Sequence, residues 1–334
     1  MAKSITMKDI ANELEVSTVT VSKALSDKEG VSEEVRERIK EKAKEMGYRF
    51  STSSKSIKDG THYNIGIIVA ERFIKENGYY SNLYQLVVQR LTEIDYSGIL
   101  EIISDDDESN GVLPRMIQNN KVDGLIILGQ MSGKYIKLIE QSNTIFIFLD
   151  FHNEHSDTGV VIGDNVYGSY QVTNYLITMG HKEIGFIGDI YATSSIMDRY
   201  LGYYKSLLLN NIPQREEWII KDRDTKGKIC EFNLPDKMPT AFVCNCDEIA
   251  YILIQKLQKE GYRVPDDISV VGFDNYIYAT LSSPKLTTYG VNLEDMAVEA
   301  VTSILYAIKH NRCNVGRKII SGNLYVRDSV KRMI

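Results

Sequence analysis

The run Val16-Ser17-Thr18-Val19-Thr20-Val21-Ser22-Lys23-Ala24-Leu25 sets a good N-cap, Ser17, ahead of an apolar helical face made of Val21, Ala24 and Leu25. Thr18, Val19, Ser22 and Lys23 fall off that face and stay available to a partner. Upstream, Thr6 with Asp9 three positions on resembles a capping box with Asp in place of Glu, and Met7, Ile10, Ala11 and Leu14 recur at helical spacing. Only Glu15 and Val16 separate the two patterns, so the helices must meet at a sharp turn. Downstream, a third helix begins at Ser32, sets Glu33 and Glu34 against the positive end of its dipole, and buries Val35, Ile39, Ala43 and Met46 before Gly47 stops it. Three such helices make a small helix-turn-helix core.

In a helix-turn-helix the second helix enters the major groove of double-stranded DNA with its N-terminal residues at base edges. Thr18 and Val19 are the expected readers, since short side chains suit a thymine methyl better than bidentate recognition of guanine. The surrounding hydroxyls of Thr6, Ser17, Thr20 and Ser22, with Lys23, are expected at phosphates. On pattern alone, a three-helix protein-interaction domain with a solvated polar face also fits. Charge does not decide between them: residues 1–60 hold 12 Lys and Arg against 11 Asp and Glu, while the remainder holds 27 against 34, for a net −6 overall.

The segments Ile5-Thr6-Met7-Lys8-Asp9-Ile10-Ala11, Val16 to Leu25, and Val31-Ser32 through Gly47-Tyr48 resemble the DNA-binding headpiece of the lactose-repressor (LacI/GalR) family. The resemblance implies a headpiece at residues 1–49 and a hinge or linker at 50–62 that folds into a helix on DNA. In the family an apolar side chain from each protomer wedges into the minor groove at the operator centre, and Ile57 occupies that position. Phe50, Ser51 and Ser54 depart from the family, which carries a Pro-Asn pair and an alanine in this segment.

From Tyr63 onward, β-branched runs alternate with helical stretches: Ile65–Val69, Ile99–Ile103, Gly124–Leu128 and Ile145–Leu149, then Ile184–Ile187, Trp218–Ile220, Ala241–Val243 and Ser269–Val271. Near-continuous apolar strands separated by helices predict an α/β fold with parallel sheets covered on both faces. Eight units in two sets of four suggest two similar lobes with a ligand cleft between them, at the C-terminal ends of the strands. The segments Gly180 to Gly188, Val264 to Asp274 and Leu286-Thr287-Thr288 again resemble the family, whose core is similar to periplasmic sugar-binding proteins. That likeness implies a core at 63–334 in which lobe 1 takes residues 63–163 and 292–321 and lobe 2 takes 164–291 and 322–334. The chain would cross near Asp164, Val291 and Gly322, with a helix from Leu293 to about His310 returning to the first lobe.

Arg199 and Asp274 match the family's recurrent polar ligand contacts, and a carboxylate facing a guanidinium suits a hydroxyl-rich ligand. Tyr79 and Tyr80, in the loop after the first strand, fall where the family places ring-stacking aromatics, with at least one expected to pack beneath the loop. Asp150 ends the fourth strand at a position that relays ligand binding between lobes in relatives. Thr193 and Ser195, in the loop before Arg199, offer neutral hydroxyls where a nucleobase-binding relative carries arginine. Cys246 stands where asparagine is common, and Arg223 where many relatives carry an aromatic; the second arginine favours an acidic ligand such as a uronate or sugar phosphate, unless it points to solvent.

Catalysis is not suggested: no Ser-His-Asp or Cys-His constellation stands out, Gly185 to Gly188 is no phosphate loop, and Cys230, Cys244, Cys246 and Cys313 are too unevenly spaced for a disulfide scaffold or zinc site. No cofactor or metal is expected. The start, Met1-Ala2-Lys3-Ser4-Ile5-Thr6, lacks the apolar run of a signal peptide and no segment matches a membrane helix, which predicts a cytoplasmic protein with no membrane partner. The expected function is a transcriptional repressor that binds a pseudo-palindromic operator as a homodimer and senses a sugar or related small-molecule effector in the cleft. The alternatives are a regulator controlled by a partner protein and a solute-binding protein with no regulatory role. No heptad run follows Val326 to Val330, so dimers rather than tetramers are expected.

Overall fold

The Thr6 hydroxyl accepts a hydrogen bond from Asp9 N at 3.3 Å while the Asp9 carboxylate accepts from Thr6 N at 2.8 Å, a reciprocal cap that starts helix α1, Met7–Leu14. Glu15 ends it in the left-handed region, at φ 54°, which turns the chain within two residues into the Ser17 cap. Ser17 Oγ accepts from Thr20 N at 3.0 Å and opens α2, Thr18–Leu25. Helix α3, Glu33–Glu45, starts after Ser32, although the Ser32 side chain makes no cap bond. Ile10, Ala11, Leu14, Val21, Ala24, Ile39 and Ala43 form the core of this unit. Val35 and Met46, expected inside, are half-buried and pack against this core, while the neighbouring Arg36 is buried, donating to Asp27 Oδ1 at 3.1 Å and to the Lys28 carbonyl at 3.0 Å.

The computed structural model describes residues 5–48, 61–76, 78–225 and 227–333, and divides the chain into two compact units, the first ending at His62 and the second beginning at Tyr63. Ile57, with Phe50, Ser51 and Ser54, lies outside the described residues.

The second unit carries two six-stranded sheets. The first is built from β1 (Asn64–Ala70), β2 (Ser97–Ile103), β3 (Gly124–Leu128), β4 (Phe146–Leu149), β5 (Val160–Gly163) and β11 (Arg317–Ile320), in the order β11-β5-β4-β3-β1-β2, all parallel. The second holds β6 (Ile184–Ile187), β7 (Ile219–Ile220), β8 (Ala241–Cys244), β9 (Ser269–Asp274), β10 (Thr287–Gly290) and β12 (Asn323–Tyr325), in the order β12-β10-β9-β8-β6-β7. Only the β10–β12 pair is antiparallel. Sheets buried on both faces explain the unbroken apolar runs: Ile67, Val69, Ile126 and Leu128 pack with helix Leu293–His310 on one side of the first sheet, Ile68, Leu125 and Ile127 with helix Gly133–Glu140 on the other.

The count of eight strands is corrected to twelve among the described residues. β5, β10, β11 and β12 are three or four residues long, and Trp218 belongs to a short 3-10 turn before β7 rather than to the strand. These extra strands are where the chain changes sheets. β5 leads into helix Asn165–Thr178 against the second sheet, β10 leads through Asn292 into helix Leu293–His310 against the first, and β11 is followed two residues on by β12. The last step needs a residue with no side chain, since a Cβ at Gly322 would collide with the Gly290 carbonyl.

Candidate functional site

On α2, Val19 is 63% exposed beside exposed Thr18, while Val21 and Ala24 are fully buried on the opposite face. Ser22, Lys23 and Thr20 are half-buried at its flank. The hydroxyls of Thr6 and Ser17 are engaged in the helix caps, and Thr20 Oγ1 lies 2.8 Å from Ser17 Oγ. The described part of this unit therefore presents a small apolar and hydroxyl-bearing tip with a single lysine behind it.

In the second unit, Tyr79, Tyr80, Asp150, Thr193, Ser195, Arg199, Arg223, Cys246 and Asp274 line one cavity of about 60 Å³. Asp150 follows β4, Cys246 follows β8 by two residues and Asp274 ends β9, so strand C-termini from both sheets converge on it. Two expectations are corrected. Tyr79 and Tyr80 sit in the first turn of helix Gly78–Thr92 rather than a loop, both buried, with rings in edge contact at 5.3 Å. Thr193 caps helix Ser194–Leu209 by accepting from Ile196 N at 3.1 Å, and Ser195 lies within that helix, so these hydroxyls too are on a rigid element.

Arg199 is held from three sides. Its Nε donates to Asn165 Oδ1 at 2.9 Å, Nη1 to the Asn245 carbonyl at 2.6 Å, and Nη2 lies 3.0 Å from Asp274 Oδ1. Its guanidinium also covers the Phe273 ring at 4.0 Å. Burial opposes the Arg199 charge, but Asp274 and Asp150 outweigh it and hold the group above its ordinary range. Burial pushes the Asp274 carboxyl up to about 7, with Arg199 pulling the other way. Asp274 Oδ1 has no aligned hydrogen bond despite its ion pair, so it keeps capacity to accept from a ligand. Asp150 is likewise raised by burial, and the Tyr79 hydroxyl donates to its Oδ1 at 3.2 Å. Cys246 is pushed up by burial and is a thiol rather than a nucleophilic thiolate.

Arg72, Phe73, Ile196, Gly227, Ile229, Asn245 and Glu248 complete the lining and were not singled out from sequence. Arg72 and Phe73 follow β1 directly, and a strand C-terminus in an α/β fold was the available signal. Asn245 supplies the buried amide next to Cys246, but that amide is committed, donating to Asp222 Oδ2 at 2.7 Å and to the Ile187 carbonyl at 3.0 Å. Arg223 lines the cavity instead of pointing to solvent. Through Arg72, Phe73, Thr193 and Gly227 the cavity adjoins an open cleft of about 780 Å³.

Segments that follow strands of the two sheets also touch directly. His152, after β4, donates its N–H to Ser194 Oγ at 3.0 Å and sets Nε2 3.3 Å from Asp198 Oδ2, and Lys228 Nζ lies 3.5 Å from Asp105 Oδ2. Among the described residues, no group of three or more His, Cys, Asp or Glu side chains could hold a metal ion, and no helix is long and apolar enough to cross a membrane.

Residues 6–51 match the family described as bacterial regulatory proteins, lacI family, and residues 173–330 match a periplasmic binding protein-like domain. The HTH-type transcriptional repressor PurR of Pectobacterium carotovorum subsp. carotovorum is 30% identical over 314 residues, covering 92% of this chain and 91% of that protein. The Lac repressor dimer crystallised with operator and the anti-inducer ONPF superposes with a TM-score of 0.80 at 20% identity, over 98% of this chain and all of that one. A LacI family transcriptional regulator from Enterococcus faecium with bound ribose gives 0.68 at 21% identity, over 81% of this chain and 100% of that one.

Proposed function

This chain belongs to the lacI family of bacterial regulatory proteins, and on that premise we propose that it is a ligand-responsive, sequence-specific DNA-binding repressor that senses a sugar or related metabolite in the cavity around Arg199 and Asp274. The observation that carries the reading is the cavity's lining: buried groups from two sheets, with an acceptor at Asp274 Oδ1 and hydroxyls at Thr193 and Ser195. Such groups suit a polyol, and the neighbour from Enterococcus faecium was crystallised with bound ribose. Ligand contacts with both sheets give a physical route to regulation, because a ligand bound between two bodies favours whichever relative arrangement satisfies both.

DNA recognition is assigned to residues 1–49, with Thr18 and Val19 at base edges and Lys23 at phosphate, and effector sensing to residues 63–334. One headpiece reads a short half-site, so the protein acts as a homodimer on a pseudo-palindromic operator in the cytoplasm. The cavity binds rather than catalyses: its Arg199 is held in place by Asn165 and the Asn245 carbonyl, and its Cys246 is held as a thiol.

The test is selection of an operator from genomic fragments, followed by operator titration with and without sugars. Specific binding that a saturating sugar shifts supports the reading; binding with no preference over random duplex removes it. A thermal-shift screen identifies the effector independently, since a ligand of the native state raises stability by mass action.

A further inference from the structure

We propose that Arg223 reads an anionic group, a carboxylate or a phosphate, on a hydroxyl-bearing effector; this step rests on the sensor reading above. Three arginines line the cavity, and two are committed. Arg72 Nη1 donates to Glu108 Oε2 at 2.6 Å and Nη2 to the Gln130 carbonyl at 2.8 Å. Arg199 is taken up by Asn165, the Asn245 carbonyl and Asp274. Arg223 has one long bond, from Nη1 to the Gly227 carbonyl at 3.4 Å, and its buried Nε has no hydrogen-bond partner.

The adjacent carboxylate does not fill that gap. Asp222 Oδ1 accepts from Asp189 N and Oδ2 from Asn245 Nδ2, both at 2.7 Å, leaving Arg223 Nε at 3.6 Å from Oδ2. A guanidinium whose buried Nε lacks an aligned acceptor, on a side chain only 15% exposed, is unfavourable until an acceptor arrives. Carboxylate and phosphate oxygens match its fork with two parallel bonds, whereas one hydroxyl meets a single donor. Arg223 also sits where it can clamp a ligand: it bridges to Ile229 in the segment whose Lys228 reaches Asp105 across the cleft. With Asp274 Oδ1 and the Thr193 hydroxyl nearby to meet neutral hydroxyls, the combined chemistry is that of a sugar acid or a sugar phosphate.

The experiment is calorimetric titration of the full-length protein with matched probes: glucose against glucuronate and glucose 6-phosphate, galactose against galacturonate, and ribose against ribose 5-phosphate. Wild type, Arg223→Gln and Arg223→Lys are compared. We expect an anionic probe to bind more than about tenfold tighter than its neutral counterpart, with the advantage gone in Arg223→Gln and partly restored in Arg223→Lys. Preference for the uronates identifies a carboxylate, and preference for the esters a phosphate. A neutral sugar that binds as tightly as its anionic derivatives, or an anion preference that survives Arg223→Gln, overturns this assignment and leaves the sensor reading standing. Saturable binding by no probe, neutral or anionic, overturns both.

Discussion

Arg199 Nη2 and Asp274 Oδ1 lie 3.0 Å apart with both side chains less than a tenth exposed, and only the aspartate of the two can shed its charge. Asp274 also holds a positive φ of 105°, a backbone geometry unfavourable for a residue with a side chain, at the end of β9. Such strain persists where surrounding structure fixes it, and it aims the carboxylate at Arg199.

Arg199→Ala and Asp274→Ala are each expected to weaken effector affinity by about 2–5 kcal/mol, because each leaves a buried polar partner uncompensated in the bound state. Calorimetry with the effector found by thermal shift measures this, and cooperative thermal unfolding shows that each variant is folded. Effector affinity within about threefold of wild type in both folded variants would place the ligand elsewhere.

The raised Asp274 carboxyl makes stability depend on pH in a defined direction. Unfolded, the group titrates near 3.8; folded, it titrates at about 7, so between those values the folded state holds a proton that the unfolded state has lost. Its contribution is full below the lower value and declines as pH rises through the upper one, by at most about 1.4 kcal/mol per pH unit. The unfolding free energy of wild type relative to Asp274→Asn should therefore fall between pH 5 and 7 and level off above. Urea titrations at each pH test it, and a difference that stays flat from pH 5 to 8 contradicts the assignment.

Long apolar strands and capped helices were legible because burial on both faces and local hydrogen bonding leave marks in consecutive residues: Gly124–Leu128 and Ile184–Ile187 coincide with strands, and Ser17 with a cap. The four added strands were not, since Arg317-Lys318 and Asn323 are polar edge positions and Thr287-Thr288 is a short run whose strand character comes from its neighbours. The cavity shows the same division. Arg199 and Asp274 were found through resemblance to known motifs, whereas Asn165 and Asn245, which hold Arg199, are 34 and 46 residues away from it and become partners only once the helices and strands of the second sheet pack together. Arg223 was visible as a departure, but its unpartnered Nε was not, because it depends on Asp222 being taken up by Asp189 and Asn245.

Within α2, neighbouring valines separate folding from recognition. Val21 has no exposure, and Val21→Ala should destabilise the three-helix unit by on the order of 1–3 kcal/mol. Val19 is 63% exposed, and Val19→Ala should change its stability by less than about 0.5 kcal/mol. Hydrogen exchange of the α1–α3 amides in the full-length protein reports both. Equal loss of protection in the two variants would mean that Val19 is held by contacts inside the unit.

The same helix separates base reading from charge. Lys23 is half-buried beside the exposed Thr18 and Val19, and as a phosphate contact it should contribute to binding of any duplex. Lys23→Ala is then expected to lower affinity for operator and random DNA alike, and to reduce the magnitude of the salt slope by about one unit. Val19→Ala should act the other way, weakening operator binding by about 1–3 kcal/mol through a lost base contact while random-sequence binding and the salt slope hold. Titrating both duplexes at several salt concentrations distinguishes the two signatures. If Lys23→Ala changes only the operator-to-random ratio, or Val19→Ala changes only the salt slope, the roles assigned along α2 are reversed, and the helix meets the groove in a different orientation from the one its N-terminal exposure implies.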